Sequence, residues 1–165
     1  IFGFGSRPAI VKVTLKIDPI EEGIKYIKSI GKHMGIHIDV EIKQDGKFVE
    51  FLLSGEKIAL LIGKRGQTLN AIQYLTQLIV NRYSDQYFKV MLDAENYREK
   101  REKTLVQLAE RLANKAIRTG QKISLEPMPS YERKVIHTAL MDNPKIKTYS
   151  DGVEPKRHIV ISPVK

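Results

Sequence analysis

The chain has 165 residues, 42% of them hydrophobic, and carries 28 Lys and Arg against 19 Asp and Glu, a net charge of +9. That composition suits one ordinary domain or two small ones with proper cores, and it excludes a disordered chain. No apolar run approaches the ~20 residues that span a bilayer, so no integral membrane span is expected; the absence of cysteine excludes disulfide staples, Cys-ligated zinc and a thiol nucleophile.

The charge is unevenly spread. Residues 18–93 hold ten Lys/Arg and ten Asp/Glu, residues 94–165 hold fifteen against nine, and residues 1–17 add three cations. Long-range attraction to polyanions should therefore come mainly from the C-terminal part. The first residue is Ile1, so the chain reads as a fragment whose own N-terminus lies upstream.

In chain order, residues 10–17 alternate apolar and polar and predict a strand. Asp18, Pro19 and Glu21 form a capped helix start, and that helix should run to about Met34 and end at Gly35. Residues 36–42 alternate strictly, Asp45-Gly46 is a hairpin turn, and residues 47–53 form the returning strand. A short helix follows over residues 57–62, then a long one to about Tyr83 and a strand over 88–93. Next come a helix from Tyr97 to Arg118 closed by Gly120, and a strand over 122–125. Ser130 is the expected N-cap of another helix, and strands over 146–149 and 157–161 flank a turn at 150–155.

Two constellations carry chemistry. Gly63-Lys64-Arg65-Gly66 breaks two apolar helical segments with a tight cationic turn. Glycine lets a phosphate backbone approach the main chain, and the helix N-terminus beyond offers unpaired N–H groups to anions. Ile62 precedes the turn and Leu69 follows it. The second is Arg133-x-x-x-His137, two residues that share one helical face. Arginine can grip a phosphate with its planar fork, and imidazole can donate to phosphate or stack on a base. Lys134 and Arg157 add nearby charge.

Helix, strand, strand, helix, helix, strand, with Gly-x-x-Gly between the paired helices, resembles a KH domain of type II topology over residues 18–93. Residues 130–137 and 150–157 closely resemble the Arg-x-x-x-His (R-three-H) single-strand-binding domain, over residues 94–165. This order resembles the bacterial Jag family, also called KhpB or SpoIIIJ-associated proteins. Residues 2–9 resemble the end of that family's N-terminal domain, so residues 1–17 would be its end and a connecting strand.

The resemblance implies an α+β fold of two small modules, each with helices packed on a three-stranded sheet. It also implies a cytoplasmic bacterial RNA-binding protein tied to control of cell elongation and division, with a small KH-protein partner or self-association. The expected ligand is single-stranded RNA, with single-stranded DNA as the alternative. Its expected contacts are Ile62, Gly63, Lys64, Arg65, Gly66, Leu69, Arg133, Lys134, His137 and Arg157. No catalytic residue, metal or cofactor is expected: His33, His37, His137 and His158 are scattered, and neither a metal-spaced cluster nor a Walker-type loop is present. A protein-interaction module with incidental nucleic-acid affinity is the competing reading.

Overall fold

The computed structural model describes Val11 and residues 17–164. These residues divide into two compact units: one runs up to Gly63 and resumes over Gln67–Leu92, the other joins Lys64–Gly66 to the residues from Asp93 onward. Each unit builds helices on one three-stranded sheet, the α+β architecture expected. The strand anticipated over residues 10–17 and the segment 2–9 fall on residues of which only Val11 and Ile17 are described.

In the first unit α1 (Pro19–His33) begins as its sequence dictates. The Asp18 carboxylate accepts from the Ile20 N–H at 2.8 Å and more weakly from Glu21, satisfying donors that the first turn leaves open. The next strand starts later than its alternation suggests: β1 is Asp39–Asp45, paired antiparallel with β2 (Phe48–Ser54) from Asp39↔Ser54 to Asp45↔Phe48. Ile36 and Ile38 are instead core plugs beside the end of α1, where the Ile36 N–H bonds the Gly31 carbonyl. Their apolar period is real, but it serves burial rather than strand pairing.

The unit continues through α2 (Ala59–Ile62), α3 (Gln67–Arg82) and β3 (Lys89–Ala94), with strand order β1-β2-β3. Val49, Phe51 and Leu53 of β2, Ile27 of α1, and Leu69, Ile72 and Val80 of α3 are all buried in its core. Each such side chain gains roughly 1.5–3 kcal/mol from leaving water. A row of amides on α3 also serves β3. Gln73 accepts from the Leu92 N–H at 3.0 Å, Gln77 from Val90 at 2.9 Å and Asn81 from Phe88 at 2.7 Å. One helix thereby satisfies backbone donors that a sheet edge would leave to water or to another chain.

The second unit opens with α4 (Tyr97–Thr119), reached through Glu95 and Asn96, both at positive φ. Asp93 supplies the cap, its carboxylate accepting from the Arg98 N–H at 3.1 Å. Gly120 ends the helix in the left-handed conformation. Then come β4 (Ile123–Ser124), α5 (Ser130–Leu140), β5 (Ile146–Asp151) and β6 (His158–Pro163), in sheet order β4-β6-β5. Leu105, Ala109, Ala113, Ile136, Ile146, Ile159 and Ile161 form its core. Ser130 is the first helical residue rather than the N-cap. Pro129 occupies that position with extended ψ, and among the described residues no side-chain hydrogen bond caps the helix.

Between α4 and α5 lies a buried ion pair. Arg101 donates from Nε and Nη2 to the two carboxylate oxygens of Glu132, both at 2.9 Å, and Glu132 is 1% exposed. The hydrogen bonds to Glu132 hold the Arg101 guanidinium above its ordinary pKa. Burial likewise pushes the nearby Tyr97 phenol up, and its hydroxyl is enclosed with no hydrogen-bond partner among the described residues.

Candidate nucleic-acid interface

The Gly63–Gly66 turn has three residues at positive φ: Gly63 at 68°, Arg65 at 56° and Gly66 at 76°. Lys64 and Arg65 are exposed at its tip. Arg65 pairs with Glu126 of its own unit, and both side chains are substantially exposed. Such a pair contributes about 0–1 kcal/mol, little enough for a phosphate to compete with it.

The glycines are needed for a different local reason from the one the sequence suggests. A Cβ on Gly63 would stand 2.1 Å from the Thr68 hydroxyl oxygen, and one on Gly66 would stand 2.6 Å from the Tyr97 ring. Gly66 is buried, so on that side protein atoms, rather than an open path for a ligand, occupy the space. The turn's accessible chemistry lies in its two cations.

The flanking apolar residues divide. Ile62 is half-buried, whereas Leu69 is 0% exposed and lies on the core face of α3 with Ile72 and Val80. Leu69 therefore does not line an open groove, because the periodicity that marks it also turns it inward. Leu60, 54% exposed on α2, is the accessible apolar side chain there. Its exposure could have been anticipated from Leu61, the next residue, facing the core.

The second constellation also divides. Arg133 and His137 are one turn apart on α5, but Arg133 is only 8% exposed and its guanidinium is engaged. It donates to the Met128 carbonyl at 2.6 Å and to the Glu154 carboxylate at 2.8 Å, joining α5 to the segments before and beyond it. His137 is exposed, with Nδ1 hydrogen-bonded to the Thr148 hydroxyl on β5. That bond orients the ring. Lys134 and Arg157 are both exposed.

One pair absent from the expected site stands on the surface of the same unit. Arg98 hydrogen-bonds the Tyr131 hydroxyl at 2.9 Å, and its guanidinium lies 5.7 Å from that ring's centroid. The two are 33 residues apart, a spacing that no local pattern marks. Tyr131 remains 44% exposed. No helix among the described residues is long and apolar enough to cross a membrane.

Comparison with known proteins agrees with the two units. The KH domain model of KhpA/KhpB matches residues 24–92, and the R-three-H domain model matches residues 103–163. The RNA-binding protein KhpB of Bacillus subtilis (strain 168) is 53% identical over 161 residues, covering 96% of this chain and 77% of the relative. KhpB of Clostridium symbiosum is 44% identical over 162 residues, with coverages of 97% and 73%. KhpB of Lactiplantibacillus plantarum is 38% identical over 137 residues, covering 83% of this chain and 42% of that protein.

Proposed function

This chain belongs to the KhpB family, and from that membership we propose that it binds single-stranded RNA in the cytoplasm through two weak sites on one polypeptide. The observation that carries this reading is the exposed Lys64-Arg65 pair at the tip of a left-handed turn. There the two cations hold the sugar–phosphate strand, while Leu60 and the accessible part of Ile62 offer apolar surface to bases. Gly63 and Gly66 act by permitting the turn. Leu69 supports α3 from within.

In the second site His137, Lys134 and Arg157 meet phosphates and Arg133 positions the loop that bears Glu154. Neither site need bind tightly. Tethering places the second at an effective concentration in about the millimolar range once the first is occupied. The role is binding rather than catalysis, and it suits a post-transcriptional regulator linked to cell elongation and division. Sequencing the RNA crosslinked to the protein in cells would identify its targets; recovery no greater than from an uncrosslinked control would remove the reading.

Separate substitutions distinguish contact from support in the second site. Changing His137 and Lys134 to Ala will weaken binding by a similar factor across RNA sequences. The salt slope will fall by about 0.7–1.4, since phosphate contacts release counterions without reading bases. Arg133→Ala will instead lower the melting temperature, because it frees Glu154 and the Met128 carbonyl together. An unchanged salt slope in the first variant would assign His137 and Lys134 to the solvated surface.

A specific observation favours a protein partner as well. Ala71, Tyr74, Leu75 and Leu78 form an exposed apolar stripe on α3, with Tyr74 64% and Leu78 49% exposed. We propose that this stripe receives a small KH protein or a second copy of the chain, a role compatible with RNA binding. Light scattering at rising concentration, with and without RNA, will show association before RNA is added. A monomer throughout would leave the stripe without a self-association role.

A further inference from the structure

Both helices of the second unit pack on one face of its sheet. Ile123, Ile146, Ile159 and Ile161 share a core with Leu105 and Ala109 of α4 and Ile136 of α5. Thr148, opposite Ile161 in register, bonds His137 on that same side. Alternation turns the residues between them the other way. The face away from the helices therefore carries Ser124, Val160 and Tyr149 in one row, with Ser162 and Lys147 in the next. Lys122, one residue before β4, alternates onto it as well.

Val160 is 3% exposed although it faces away from both helices. Its cover comes from the two edges of the sheet. The Lys122 ammonium lies 5.9 Å from the centroid of the Tyr149 ring, and because β6 runs between β4 and β5, that contact spans the central strand. Tyr149 stays 39% exposed, and Lys147, two residues back along β5, is exposed on the same face. Among the described residues neither Lys122 nor Lys147 enters an ion pair. The strand register puts one carboxylate on this face, Asp151 opposite His158 at the far end, and it accepts from the Gly152 N–H at 2.7 Å. A face built only to meet water needs no aromatic ring, and an apolar partner would bury two unpaired ammonium groups at a cost.

We propose that this sheet face is a further contact surface for single-stranded RNA, with Tyr149 stacking one base and Lys122 and Lys147 meeting the phosphates beside it. The inference rests on the RNA-binding reading above and extends it to a surface outside both motifs. A sheet with one face free and an aromatic ring standing on it offers a flat platform to a base of any sequence. An exposed cation–π contact is weaker than stacking on a base. The base therefore takes the place of the Lys122 ammonium, which turns to the adjoining phosphate. Two residues along β5 cover ~7 Å, so Lys147 and Tyr149 serve neighbouring parts of one strand of RNA.

The chain has no tryptophan, so Tyr149→Trp introduces a single indole reporter. Titrating that variant, as the whole chain, with uridine and mixed-sequence RNA 12-mers should quench the indole. The midpoint should match binding of the same RNAs, labelled with fluorescein, by anisotropy. Tyr149→Leu keeps an apolar cover over Val160 but cannot stack. It should weaken both RNAs about tenfold with the salt slope unchanged, since stacking releases no counterion. Lys122→Gln with Lys147→Gln should lower the slope by about 1.4. Both lysines are exposed, so this pair of changes gives a measurement even where Tyr149→Leu melts early.

No quenching, with wild-type slope in the lysine variant and clear binding by the wild type, would overturn this surface and leave the two-site reading intact. Quenching by poly-glutamate, with RNA affinity untouched by the substitutions, would overturn it in favour of an acidic protein partner. A wild type that holds neither RNA would remove both proposals.

Discussion

Replacing Lys64 and Arg65 together with Asp will abolish most RNA affinity while the far-UV spectrum stays native. Both side chains are exposed, so the change removes no core packing. Asp also suits the left-handed conformation at position 65, where φ is 56°. Without these two cations the salt slope on a single strand should fall by about 1.4, and the two new carboxylates repel the phosphates. Anisotropy with RNA oligomers at several salt concentrations measures both effects. Equal affinity of mutant and wild type would remove this turn from the binding surface.

The largest effect on stability will come from Glu132→Ala. Glu132 is 1% exposed and accepts two hydrogen bonds from Arg101, whose side chain is 16% exposed. Truncation leaves a guanidinium enclosed beside Tyr97 without its carboxylate, a change that costs about 3–5 kcal/mol. For a unit of this size each kcal/mol moves the melting temperature by roughly 4–8 °C, so the second unit should be largely unfolded at moderate temperature. Thermal denaturation followed by circular dichroism checks this directly. The double change Arg101→Met with Glu132→Leu should recover most of the stability, because apolar side chains of similar volume need no partner. If the single variant melts like the wild type, the pair does not hold α4 to α5.

The elements themselves are legible in the sequence because most serve burial with an undisturbed period. Asp18 and Gly120 bound their helices as their chemistry requires. Sequence and structure part where one residue type serves two ends. Ile36 and Ile38 alternate like a strand but fill the space beside α1, so β1 begins at Asp39. Leu69 sits on the apolar stripe that its spacing indicates, yet that stripe is the core, and a side chain fully enclosed there cannot also meet a ligand.

Long-range polar partners are illegible. Gln73 and Gln77 bond the backbone of β3, and Asn81 that of Phe88 just before it, across sequence separations that no local pattern marks. Arg133 reads as a free cation because Glu154 lies 21 residues away.

The engagement of Arg133 changes what its motif can signify. A guanidinium already spent on Met128 and Glu154 certifies that a loop has been closed, whereas the imidazole one turn later meets the solvent. A descendant sequence that kept the first and lost the second would preserve shape and surrender grip. One that put lysine at position 133 would forfeit the architecture despite an unchanged formal charge, because a single ammonium lacks the fork that reaches both acceptors.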